Sequence, residues 1–178
     1  MEIGTKQILN FLHVIAWVLF IGLCIEAGSF LFNMIYSITY QPFAAQYFGL
    51  QGLLAFDETR FVAVMSLMTI AGVLKALALY RIVKVFTDKQ LNLHSPFNQE
   101  FGKFVFALSY LTLGIGIFSF WGAKNVETLV AENIVMPSLQ QLRLSGADVW
   151  IFMSATLYVI GLLFKRGVEM QQESELTI

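Results

Sequence analysis

Apolar residues fall in four long runs along the chain, separated by shorter polar stretches. The first covers residues 8–38, with only Asn10, His13, Glu26, Ser29 and Asn33 strongly interrupting it. As a helix it would be about 46 Å long, more than the ~30 Å hydrocarbon core of a bilayer. The second run follows Arg60 and covers 61–80, with Arg81 and Lys84 beyond it. The third covers 104–121, and the fourth runs from 147 to 164 and stops at Lys165 and Arg166. In lipid the backbone has no water to bond, so each run must close its own hydrogen bonds as a helix. The pattern predicts an all-α, integral membrane four-helix bundle with spans at about 8–36, 61–80, 104–121 and 147–164. All of it is read as one transmembrane domain, 1–178, with a tail at 165–178.

Punctuation between the runs agrees with this. Ser95-Pro96 supplies an N-cap and an N1 proline ahead of the third span. Ser145 and Asp148 have capping-box spacing ahead of the fourth. The connection 39–58 holds Tyr40, Pro42, Phe43, Tyr47, Phe48, Leu53, Leu54 and Phe56. Such aromatic density suits a short interfacial helix among headgroups. The connection 124–146 has no aromatic residue, and Pro137 should interrupt any helix through it.

Lysine and arginine set the expected orientation. With the N-terminus inside, the cytoplasmic side holds Lys6, Arg81, Lys84, Lys89, Lys103, Lys165 and Arg166. The other side holds Arg60, Lys124 and Arg143. Both termini are therefore expected in the cytoplasm. The first run is about twice the length of a signal-peptide core and is expected to remain as an anchor.

Composition reinforces the class. The chain is 57% hydrophobic and 13% charged, against about 25% charged in soluble domains, and its mean hydropathy is +0.70. A net charge of −1 gives no basic field for direct nucleic-acid binding. The single cysteine, Cys24, has no disulfide partner in the chain and reads as structural.

Chemistry is sparse. Gly22, Glu26, Ser29 and Asn33 share one sector of the first helix, since successive residues turn by about 100°. A small residue, an acid, a hydroxyl and an amide on one stripe suit a hydrogen-bonded helix–helix seam, which is the expected role. They also suit a polar pathway or ligand site. Lys75 is a second intramembrane charge. Counted from the span ends, it falls near the cytoplasmic side and Glu26 near the outer side, ~20 Å apart. Lys75 is thus expected to snorkel inward rather than pair with Glu26. Ser109, Thr112, Gly116 and Ser119 share a face of the third helix, Ser154, Tyr158 and Gly161 one of the fourth, and Thr69, Gly72 and Ala76 one of the second. All read as close-packing surfaces. His13 and His94 are the only histidines. They lack neighbouring ligands at metal spacing, though together they could in principle hold a haem. Gly114-Ile115-Gly116 lacks the context of a dinucleotide fingerprint. No serine or cysteine has a base beside it. A non-enzymatic protein without metal or cofactor is expected.

The chain closes with FKRGVEMQQESELTI at 164–178. Lys165, Glu169 and Glu173 share a helix face, so the last helix should continue past the span. Leu176 and Ile178 could add a strand to a partner. The basic pair Lys165-Arg166, then Gly167 and Glu169, then an acidic stretch ending in Leu-Thr-Ile, is similar to the ending of bacterial multi-pass membrane proteins grouped as domain of unknown function 2975. Ser95-Pro96-Phe97 and the four-span layout also resemble that family. The resemblance implies a bacterial inner-membrane protein without an established activity. It further implies a cytoplasmic regulator of helix-turn-helix type as a partner. The chain itself reads first as a non-enzymatic interaction protein whose contact surface is Lys165, Arg166, Glu169, Glu173, Leu176, Ile178 and the loop 81–103. A homo-oligomer is compatible with so small a bundle. The alternative is a small transporter, or a ligand or pH sensor, using the Glu26 face.

Overall fold

A computed structural model of the chain describes residues 5–87 and 99–175. Ser95-Pro96-Phe97, His94, Lys89, Leu176 and Ile178, singled out above, lie outside the described residues. Four long helices dominate: α1 (Thr5–Thr39), α3 (Glu58–Thr87), α4 (Gln99–Ala131) and α5 (Ala147–Glu175). All four are long and apolar enough to cross a membrane. The protein is a multi-pass membrane protein built as a four-helix bundle. Each helix is longer than the apolar run that announced it. Helix formation continues through polar ends into the headgroup zone and beyond, because the intrahelical hydrogen bonds persist there.

Between α1 and α3, a 3-10 helix (Pro42–Phe48) and the short helix α2 (Gln51–Phe56) form the helical segment expected in this connection, in two pieces. Gly49 separates them, in the left-handed conformation at φ 68° that glycine adopts without a Cβ clash. The segment is amphipathic. Ala45, Leu50 and Leu53 are buried, while Tyr40, Phe43, Tyr47 and Phe56 are exposed. Asp57 then caps α3, its Oδ1 accepting from the Thr59 and Arg60 amides.

The helices pack in chain order, α1 on α3, α3 on α4 and α4 on α5. No Cα of α1 comes within 8 Å of α5, so the bundle is open between its first and last helices. The middle helices carry most of the core and α1 presents most of its surface outward. On α1 the inward stripe is Ala16, Phe20, Ala27, Phe30, Met34 and Ser37. Its steps of three, four and seven are those of a coiled-coil seam.

That seam sets an antiparallel register between α1 and α3. His13 stacks near Phe86 and Phe20 on Tyr80, Ala27 backs onto Gly72, and the Ser66 hydroxyl donates to the Met34 sulfur. The two residue numbers of each pair add to about 100. At the other side of the molecule, α4 and α5 meet closely through small residues. A Cβ on Gly116 would lie 2.6 Å from Ile151 Cγ1, and one on Gly161 3.0 Å from Phe106.

Candidate functional site

The α1–α3 register places Glu26 level with residue 74, one turn from the midpoint of a 35-residue helix. Lys75 therefore stands beside Glu26 in depth, and the expected ~20 Å separation does not occur. The apolar runs had misplaced the helix ends. Thr39 stands level with Phe61, so Glu26 lies about 20 Å below the loop-side end of α1 and Lys75 about 21 Å below Phe61. Nor does Lys75 snorkel toward the terminal end. Its Nζ reaches the other way and donates to the backbone carbonyl of Arg143 at 2.8 Å, 6.0 Å from the Trp150 ring centre.

Arg143 belongs to the connection between α4 and α5. Leu142 and Leu144 on either side of it are fully buried, and Leu144 packs against the space left by Gly122 of α4. These two leucines sink the connection into the bundle and carry Arg143 with it. Its backbone is left-handed, φ 57°, a conformation that costs a non-glycine residue about 1–2 kcal/mol. From there its Nε lies 2.8 Å from Glu26 Oε1. Arg143 thus joins both intramembrane charges, Glu26 by its side chain and Lys75 by its carbonyl. No direct ion pair links Glu26 and Lys75 among the described residues.

The Gly22, Glu26, Ser29 stripe does not form a seam against a neighbouring helix. It lines one wall of an open groove of about 1260 Å³, whose other walls are Gln46–Gly49 and the 135–143 segment. A Cβ on Gly22 would meet nothing within 4 Å, so this glycine faces open space. Asn33 lies outside the groove. Ser29 and Asn33 direct their donors into their own helix, to the Glu26 and Ser29 carbonyls at 2.7 and 2.9 Å. Serine and asparagine do this where no partner helix competes for the bond. Arg143 and the whole second connection were not identified as part of the site from the sequence. A charged residue flanked by two leucines in the connection was the signal available.

The tail residues lie at the opposite end. Lys165 and Arg166 are exposed, Arg166 reaches Glu169 at 3.7 Å, and Glu173 is exposed near the end of α5. This extension leans on the start of α4, where Phe164 packs edge-on to Phe101. Among the described residues no three His, Cys, Asp or Glu side chains converge as a metal site. His13 instead accepts from the Trp17 indole at 3.0 Å.

In comparisons with known proteins, no family model, curated protein or solved structure matches this chain.

Proposed function

We propose that the protein binds a ligand in the groove beside Glu26, as a small transporter or ligand sensor of the bacterial inner membrane. One observation carries this reading. Glu26, near the middle of α1, and Arg143 line a groove large enough for a small molecule, with Lys75 bonded behind them to the Arg143 carbonyl. Intramembrane charges are costly and persist where they face a cavity or one another. A purely structural ion pair has no need of an adjoining open volume, and pockets of several hundred Å³ with a few convergent polar groups are where ligands bind.

Gly22→Trp tests it without altering any charge. The new ring would enter the groove from an exposed helical position with open space beyond it. Native mass spectrometry of protein extracted in mild detergent should show a retained small molecule in the wild type and its loss in the variant. The same molecule retained equally by both would refute the groove as the site.

A second reading is a non-enzymatic contact protein acting through its cytoplasmic tail and the segment 81–103, which includes the end of α3 and the start of α4. It is supported by α5, which runs about three turns past the apolar span. By family resemblance the partner would be a regulator of helix-turn-helix type. A photo-crosslinker at Gln171 in cells should then capture one discrete cytoplasmic protein, and changing Leu176 and Ile178 to Ser should abolish the capture. Capture of lipid or of the protein itself alone would refute this reading.

A further inference from the structure

We propose that the groove takes the anionic headgroup, a phosphate or carboxylate, of a membrane amphiphile, held by the guanidinium of Arg143. The inference rests on the groove reading and deepens it to a ligand class.

The charge arrangement is the first argument. Only Glu26 and Arg143 are charged among the groove-lining residues, and Lys75 stands behind them at the Arg143 carbonyl. Two cations against one carboxylate leave one positive charge in excess. The Arg143 side chain is 63% exposed, and an excess positive charge at the wall of a groove attracts an anion into it. The second argument is geometric. Arg143 meets Glu26 through Nε. Among the described residues its two terminal nitrogens make no hydrogen bond, and Arg143 lines the groove. An unused pair of guanidinium nitrogens matches two oxygens of a phosphate or carboxylate.

The apolar part of the ligand follows from what borders the charges. Ile25 lines the groove and is 68% exposed, and Ile21 and Val18 continue that exposed surface along α1. An acyl chain can lie along this surface while its headgroup occupies the groove. A fully soluble anion would leave this apolar surface uncovered.

The test uses the full-length protein in detergent, titrated with phosphatidylglycerol or with phosphatidylcholine of the same chains and read by native mass spectrometry. Phosphatidylglycerol should bind about tenfold more tightly, the worth of one charge-assisted contact. Arg143→Gln should bring the two lipids to parity. Glu26→Gln should act in the opposite direction and raise phosphatidylglycerol affinity severalfold, because it removes the competing carboxylate. A merely structural Glu26 would not produce a gain, so this arm decides the matter even where Arg143→Gln fails to fold. Equal binding of the two lipids by the wild type, or no gain in Glu26→Gln, would overturn the proposal. If Gly22→Trp still excludes both lipids in that case, the groove reading stands and only the anion is wrong. Phosphatidylglycerol binding untouched by Gly22→Trp would refute both. Inorganic phosphate displacing phosphatidylglycerol at equal concentration would reassign the site to a free anion and overturn the amphiphile.

Discussion

Gly72 of α3 faces Ala27 of α1 so closely that a Cβ built on the glycine would lie 3.3 Å from the alanine Cβ. This contact sets the level of everything around it, Glu26 and Lys75 included. It leads to a direct check of the register. In a background with Cys24→Ser, Ala27→Cys with Gly72→Cys should crosslink readily under mild oxidation. Disulfides need Cβ atoms about 3.5–4.5 Å apart, and a small backbone adjustment reaches that range. Gel mobility with and without reductant reports the bond. A register in which Glu26 and Lys75 were ~20 Å apart in depth would forbid it, so failure to crosslink would refute the arrangement of α1 and α3.

The four spans and the helical segment in the first connection were legible in the sequence because lipid leaves the backbone no alternative to helix. The packing faces Ser109, Thr112, Gly116 and Ser119 on α4, all buried, were legible from 3.6-residue periodicity. Register was not. It depends on where helices end, and apolar runs report only where hydrocarbon ends: α3 continues past Tyr80 to Thr87 and α1 begins before Ile8. The same blindness hid Arg143. Its place beside Glu26 is set by Leu142 and Leu144 entering the bundle from a loop, a tertiary event with no periodic trace.

Ser109 and Ser154 form a reciprocal clasp between α4 and α5. Each hydroxyl donates to the other residue's carbonyl at 2.9 Å. Interhelical bonds of this kind average about 0.6 kcal/mol in membrane proteins. Ser109→Ala and Ser154→Ala should each destabilise by about 0.5–1 kcal/mol in a denaturing detergent titration. Alanine keeps its backbone carbonyl, so each single variant removes one bond and leaves the other, and the double variant should be destabilised by about the sum of the two. A double variant no less stable than either single would show that the two bonds do not contribute separately.

The glycines of this fold divide by what surrounds them. At Gly116 an added Cβ meets Ile151 Cγ1 at 2.6 Å, Ile151 N at 3.1 Å and the Ala147 carbonyl at 3.2 Å. Two of those neighbours are backbone and cannot rotate away, so Gly116→Ala should force α4 and α5 apart and destabilise by about 1–3 kcal/mol. Gly28, with nothing within 4 Å, should respond oppositely. Gly28→Ala should be neutral or stabilise by about 0.5–1 kcal/mol through helix propensity alone. The same detergent titration compares them, and equal effects at the two sites would contradict the α4–α5 contact.

Lys75 holds the second connection in place by donating to the Arg143 carbonyl at 2.8 Å. Replacing it with methionine preserves length and apolar packing along α3 but removes the donor, leaving a carbonyl in the bundle without its charged partner. Hydrogen bonds to charged groups contribute about 1.5–3 kcal/mol. The contact is local, so the change should appear as local opening and not as global unfolding. Hydrogen exchange measured by mass spectrometry should therefore quicken by about tenfold or more over 138–144 in Lys75→Met, with α4 and α5 protected as before. Glu26→Gln offers the contrast. It weakens the hold on the Arg143 side chain while leaving the carbonyl bond intact, so exchange in the same segment should rise less. If the two variants loosened the segment equally, the backbone tie would not be what seats Arg143 in its left-handed turn.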